Sequence, residues 1–372
     1  MDKSPRLLEL DVFRGIAALG VVLYHYTIQY NKSYGHSPEV LISFPFGTYG
    51  IELFFMISGF VIFMSLEKTK RGRDFLVGRF SRLYPAYWVA VFLTFTIVTV
   101  ANLPINQVDG NGLVKLTWRD ALVNLTMLQG FFNVPNVDGA YWTLAVELSF
   151  YIIMFAIYKA KLLKHIDTIA IGWLLLLVVS IVLEKQFAIF LDPRITTFFW
   201  LGRPHLSVYA NLFIVGMMFY KIYSEGDSIK KYAIILGCLL VYKLQHYGWE
   251  TAILIALIII FHLMLRGKLA FINQKPLLFF GTISYTLYLI HQNIGYVIIR
   301  ALYKFGINPN TSIFIALVSS IFLASTITFL VERPMMRLIR EQYKTRILNQ
   351  TSVESSLSIA NKLKEEKPLK PR

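Results

Sequence analysis

A small set of ionisable side chains interrupts otherwise apolar stretches of this sequence: Arg14 and His25, Glu52, Glu147 and His291, with His262 a weaker sixth. A charged group at membrane depth costs several kcal/mol unless it is paired or hydrated, so each marks a candidate site. Arg14 and His25 lie eleven positions apart. On a helix that is about 16 Å of rise and within about 20° of three full turns, so both project from one face. A fixed cation near one end of that face and an imidazole deeper along it suit an elongated anionic ligand whose reactive end reaches into the apolar interior. The plainer reading of Arg14 is a snorkelling side chain that pairs with Asp11, three residues away. Glu52 and Glu147 fall at a depth comparable to His25. A carboxylate beside an imidazole can orient the ring, fix its tautomer and stabilise its cation. His25, Glu147 and Glu52 are therefore the candidate catalytic group; Glu52 also fits an interfacial carboxylate in headgroup water, and His291 a donor to a neighbouring helix carbonyl.

Arg79 and Arg82 are spaced i,i+3 and share a face wherever that segment is helical. Two adjacent guanidiniums can grip a diphosphate bidentately. The neighbouring cluster Lys68, Lys70, Arg71 and Arg73 reads instead as a topology-fixing loop in contact with anionic lipid.

The elements that must hold these residues are membrane helices. The 372 residues are 56% apolar and only 16% charged, against about 25% charged in soluble globular chains. Ten stretches approach the roughly 20 apolar residues that a spanning helix needs. They are approximately 12–30, 47–66, 84–102, 139–158, 166–183, 204–223, 231–246, 249–265, 279–301 and 311–331. The predicted fold class is thus all-α, a polytopic membrane helix bundle. The net charge of +15 concentrates in the segments on the side of the amino terminus, which puts both termini in the cytoplasm by the positive-inside rule. The basic balance is topological, and nucleic acid is excluded as a partner. The longest outer loop, 103–138, carries turn residues and an amphipathic stretch, Trp118–Leu128, suited to the membrane surface. Residues 1–342 form the expected membrane domain and 343–372 a mobile cytoplasmic tail rich in Ser, Lys and Glu. Cys238 is the one cysteine and permits no internal disulfide. No Walker loop, GxSxG elbow, HExxH or Cys/His zinc spacing occurs in the sequence.

Several of these residues lie in ordered motifs: Arg14 to His25 with ten residues between, Gly50 to Phe60, Arg79-x-x-Arg82, Trp142 to Glu147, Ser284 to His291, and Glu332-Arg333-Pro334. In this order and spacing the chain resembles the acyltransferase-3 family of bacterial membrane acyltransferases over roughly residues 7–340. The resemblance implies acyl transfer, usually acetyl, from a cytoplasmic acyl-CoA to a hydroxyl of a cell-envelope glycan or lipid-linked sugar, in the bacterial cytoplasmic membrane. It further implies acetyl-CoA or another acyl-CoA as donor substrate, no permanently bound cofactor and no metal. Carried over, Arg14, Arg79 and Arg82 serve the donor and His25 is the essential catalytic residue, as general base or transient acyl carrier. Ser58, Tyr84, Trp142 and His291 are candidate supporting residues. A chain of this extent is expected to be a standalone member, without the fused periplasmic hydrolase-like domain of some relatives. The competing expectation is a transporter or flippase of a sugar-lipid or organic anion, in which the same buried charges form a proton relay.

Overall fold

The computed structural model describes residues 7–106, 113–187, 206–246 and 248–347. A helix meets every one of the ten predicted spans. The first is a single rod in three parts: α1 (Leu8–Tyr24), a π-helical turn (His25–Gln29) and α2 (Tyr30–Tyr34). It is followed by α3 (Gly50–Glu67), α4 (Gly72–Val100), the short α5 (Trp118–Asn124), α6 (Trp142–Lys159) and α7 (Ile166–Phe187). Then come α8 (Leu206–Glu225), α9 (Ile229–Gln245), α10 (Glu250–Leu265), α11 (Lys275–Lys304) and α12 (Pro309–Ile327). A second π turn, Thr328–Glu332, carries α12 into a further helical stretch, 333–347. Among the described residues, strand pairing is confined to Ile105–Asn106 against Leu113–Val114. Among the described residues, five helical stretches are long and apolar enough to cross a bilayer: Pro45–Glu67, Gly72–Val100, Gly139–Lys159, Leu163–Leu183 and Pro309–Ile347. The protein is an all-α polytopic membrane bundle.

The structure adds detail at two boundaries and in the outer loop. The helix of the third span begins at Gly72, twelve residues early, and continues through Pro85. Proline removes one intrahelical bond but need not end a helix whose neighbours hold it. Arg79 and Arg82 therefore sit on a helix and not on a loop. At the other end, residues 343–347 of the expected tail are helical; the rest of that tail lies outside the described residues. In the outer loop, the Trp118–Leu128 stretch suited to the membrane surface exposes Trp118 and Leu122 and buries Asp120, Ala121 and Asn124. A capping box between Thr117 and Asp120 starts α5. Beyond it the side chains of Tyr87, Trp88 and Tyr84 donate to the carbonyls of Asn124, Leu125 and Thr126.

Two close crossings organise the bundle. α1 lies against α11 where Gly15 meets Gly281, so close that a Cβ on Gly281 would come within 2.1 Å of the Asp11 carbonyl oxygen. α3 lies against α8 where Gly59 and Gly216 face each other's backbones, with a similar 2.1 Å and 1.9 Å to the Phe213 and Met56 carbonyl oxygens. In lipid, where apolar burial gives little drive between helices, such small residues let van der Waals contact do the work. The first crossing matters for function, because it sets the Arg14 to His25 face of the amino-terminal rod against the Ser284 to His291 face of α11.

Candidate functional site

Two polar regions lie along that crossing. The first is a cavity of about 100 Å³ whose wall includes Arg14, Arg79, Arg82, Ser58, Glu147 and Tyr151. Pockets that engulf a whole drug-sized ligand run to roughly 300–1,000 Å³, so this one admits the end of a substrate. Its charges are unevenly matched. Arg82 Nη1 donates to Glu332 Oε1 at 2.6 Å, and Glu332 is fully buried, taking further bonds from Thr286 at 2.8 Å and Thr328 at 3.4 Å. Arg14 Nη1 lies 3.7 Å from Asp11, the i,i+3 pairing anticipated above. Arg79 donates to Ser65 Oγ at 3.2 Å and lies 5.6 Å from the Phe75 ring and 6.0 Å from the Tyr151 ring. Its Nε is buried without a hydrogen bond, and no carboxylate pairs with it among the described residues. Glu147 is held by the hydroxyls of Ser58 and Tyr151, the latter at 2.5 Å.

The second region is a histidine pair. His291 Nε2 lies 2.9 Å from His25 Nδ1, and His291 Nδ1 lies 2.9 Å from the Tyr288 carbonyl oxygen. His25 Nδ1 is also 3.0 Å from the Val21 carbonyl oxygen. A carbonyl only accepts, so for neutral rings the network has one solution. His291 donates from Nδ1 to Tyr288 and accepts at Nε2; His25 donates from Nδ1 to His291 and Val21. His25 Nε2 is left bare, a half-buried lone pair with no bonding partner among the described residues. The π turn that starts at His25 is the kind of local defect often found at functional positions. Tyr26 pins it, donating to the His291 carbonyl at 2.8 Å and meeting Ser320 Oγ at 2.7 Å.

Tyr288 stands between the two regions. Its ring is on the cavity wall, its hydroxyl meets Thr143 Oγ1 at 2.8 Å, and its backbone carbonyl anchors His291. The sequence-predicted residues therefore divide. Arg14, Arg79, Arg82, Glu147 and Ser58 gather around the cavity, and His25 with His291 form the pair. The expectation that Glu147 or Glu52 orients His25 does not match the structure: the imidazole bonds to His291 and Val21, and neither carboxylate touches it. Glu52 approaches Tyr242 Oη at 3.4 Å, and its Oε2 is buried without a partner. Trp142 packs 5.4 Å from the Tyr209 ring, and Tyr84 is spent on Thr126; neither lines the cavity.

Sequence reasoning assigned no role to Glu332, Tyr288 or Asp138. Glu332 carried a signal as part of Glu332-Arg333-Pro334, but only the second π turn aims it at Arg82. Asp138, fully buried, accepts from the backbone N–H of Ala140 at 3.0 Å and of Asn293 at 2.9 Å. It thereby ties the folded outer loop to α11 two residues beyond His291. Burial pushes its carboxyl up to about 7, although those two bonds pull the other way. Among the described residues no cluster of His, Cys, Asp and Glu could hold a metal.

Comparison with known proteins bears on this arrangement. A family model described as an acyltransferase domain matches residues 7–329, which include the cavity-lining residues and the histidine pair. The chain is 26% identical to the O-acetyltransferase OatA of Staphylococcus aureus over 78% of its own length and 51% of that protein. It is 29% identical to a putative peptidoglycan O-acetyltransferase, YrhL of Bacillus subtilis, over 42% of the chain and 24% of that protein. Nodulation protein 10 of Rhizobium leguminosarum bv. viciae is 27% identical over 31% of the chain and 33% of its own length. The chain thus spans about half the length of OatA, and less of the others. No solved structure matches.

Proposed function

This chain belongs to the acyltransferase-3 family, and from that premise we propose that it is a membrane O-acyltransferase. It moves an acyl group, acetyl by the analogy with OatA and YrhL, from a cytoplasmic acyl-CoA to a hydroxyl of a cell-envelope glycan or lipid-linked sugar. The bacterial cytoplasmic membrane is the corresponding site, with the arginine cavity at its cytoplasmic side. The observation that carries the reading is the tautomer-locked histidine pair on the same helix crossing as a cavity rich in guanidinium groups.

The chemistry follows from the bonds already described. Arg79, with Arg14 and Arg82, holds the phosphates of the donor, and the pantetheine arm runs along α1 towards the histidines. His25 Nε2 takes the proton of the acceptor hydroxyl as its oxygen attacks the thioester carbonyl carbon. The carbon–sulfur bond breaks, and the CoA thiolate leaves with the proton from His25 Nε2. While His25 is cationic, its Nδ1–H remains bonded to His291 Nε2, so His291 keeps the ring in register and shares the charge. Glu147, at the cavity and not at the imidazole, offsets the arginine charge and shapes the donor passage. Tyr288 must swing aside for the thioester to reach His25. General-base catalysis needs one step in one place and is preferred over an acyl-histidine. Exposed aromatic residues at the opposite end, Phe46, Trp249, Phe131 and Phe132, offer stacking surfaces for a sugar acceptor.

The test is acetyl transfer from acetyl-CoA to a glycan acceptor by the full chain in lipid nanodiscs. Wild type should consume acetyl-CoA in an acceptor-dependent way, and His25→Ala should not. Acceptor-independent solute uptake without acetyl-CoA consumption would instead establish the transporter reading.

A further inference from the structure

The helical stretch that follows the second π turn carries Arg333, Arg337, Arg340 and Lys344. Their spacing, i, i+4, i+7 and i+11, confines them to a sector of about 60°. The stretch is docked on the start of α4: Tyr343 donates to Asp74 at 2.8 Å, Arg340 Nε to Ser81 Oγ at 3.0 Å, and Arg340 Nη2 to the Gly78 carbonyl at 3.3 Å. This docking brings Arg340 within electrostatic reach of Arg79 and Arg82, which repel it.

Four of the arginines at this end differ in how their charge is met. Arg82 has Glu332 and Arg14 has Asp11. Arg79 and Arg340 have only hydroxyl and carbonyl partners, and Arg79 Nε is buried with none. Neutral groups thus hold two like charges near each other, Arg79 on the cavity wall and Arg340 outside it on the carbonyl of the adjacent Gly78. An anion between them would remove the repulsion and satisfy the open donors.

We propose that Arg340 and Arg79 form a phosphate-binding subsite, and that the helix 333–347 is part of the donor site and not an appendage to it. The inference rests on the acyl-CoA reading above and names the phosphate-bearing end of that donor as the ligand. Guanidinium forks match phosphate oxygens bidentately, which lysines in the same places would not. A phospholipid headgroup presents the same chemistry, so the test must separate the two sources.

The experiment measures CoA binding by calorimetry to the full chain in phosphatidylcholine nanodiscs, for wild type, Arg340→Gln, Arg340→Lys and Tyr343→Phe. Loss of one charge-assisted contact weakens binding by about tenfold or more. Arg340→Gln should show that loss, Arg340→Lys a smaller one, and Tyr343→Phe, which removes one of the three docking bonds without changing charge, a loss well below that of Arg340→Gln. Wild-type affinity in Arg340→Gln overturns the proposal. So does an equal loss in Tyr343→Phe, which would make the role one of docking. The same measurement in nanodiscs containing phosphatidylglycerol distinguishes the lipid: if Arg340→Gln lowers only phosphatidylglycerol retention and not CoA affinity, the subsite belongs to lipid and the proposal fails. Absence of CoA binding by wild type would instead overturn the acyl-CoA reading itself.

Discussion

The two polar regions of this bundle solve the problem of burying polar groups in opposite ways. At the arginine end, charge is abundant and incompletely matched, with Arg82 and Arg14 paired and Arg79 and Arg340 left to neutral partners. At the histidine end the paired rings carry no formal charge in the tautomers the network selects. Two imidazoles and two backbone carbonyls settle every proton and leave a single bare nitrogen. On the proposed function, the difference assigns binding to the first end and reaction to the second. Unmatched cations create affinity for an anion, whereas a fixed tautomer creates a base of defined direction.

If that division is right, mutations at the two ends should separate binding from turnover. The largest effect is expected at His25. His25→Ala should lower acetyl transfer by about a thousandfold or more, within the range for a lost general base, while CoA affinity measured by calorimetry stays unchanged. His291→Ala should lower kcat roughly ten- to a hundredfold with little change in KM for acetyl-CoA. His291→Gln, whose amide oxygen can accept from His25 Nδ1, should recover part of that loss; equal loss in both variants would mean that His291 does not act as the acceptor. At the other end Arg79→Gln should raise the Kd for CoA by about tenfold or more. Single-turnover rates at saturating donor should stay near wild type, and so should the Tm, because no ion pair is broken.

Glu332→Gln separates charge matching from ligand binding. Removing one partner of a fully buried pair costs about 3–5 kcal/mol, and the 32% exposure of Arg82 moderates this to roughly 2–3 kcal/mol, read as a lower Tm. The smallest effect is a pH dependence. Asp138 has a folded pKa near 7, above the ordinary carboxylate value. Its neutral form therefore contributes stability that is full below about pH 4 and fades as pH rises through 7. Asp138→Asn should flatten the fall in Tm between pH 5 and pH 8; an unchanged slope would place the titration elsewhere.

How much of this was legible in the sequence depended on what each residue needed. Helix positions were readable because apolar runs and their interruptions report directly on the bilayer. Depth along a helix marks Arg14 and Glu147, the i,i+3 spacing marks Arg79 and Arg82, and the family resemblance marks Ser58; the five line one cavity. Neighbours across helices were not readable. Sequence depth allowed Glu147 or Glu52 beside His25, but the Gly15 and Gly281 crossing sets His291 there instead. The bond between Arg82 and Glu332 joins residues 250 positions apart and depends on a π turn that no local pattern announces. Arg340 was hidden for a similar reason, since the expected end of the last helix came before it. The anchoring of the 117–141 loop rests on Asn124, Asp138 and aromatic donors from α4, contacts between segments that no local pattern joins.

The account stands most directly on the protonation of one ring. Nitrogen-15 solid-state NMR of histidine-labelled protein in nanodiscs at pH 7.5, assigned with His25→Ala and His291→Ala, reports which nitrogen of each imidazole carries the proton. The predicted result is a protonated Nδ1 and unprotonated Nε2 on both rings, with a coupling between His25 Nδ1–H and His291 Nε2. A proton on His25 Nε2, with Nδ1 bare, would leave no base facing the substrate and would contradict the division of labour between the two ends.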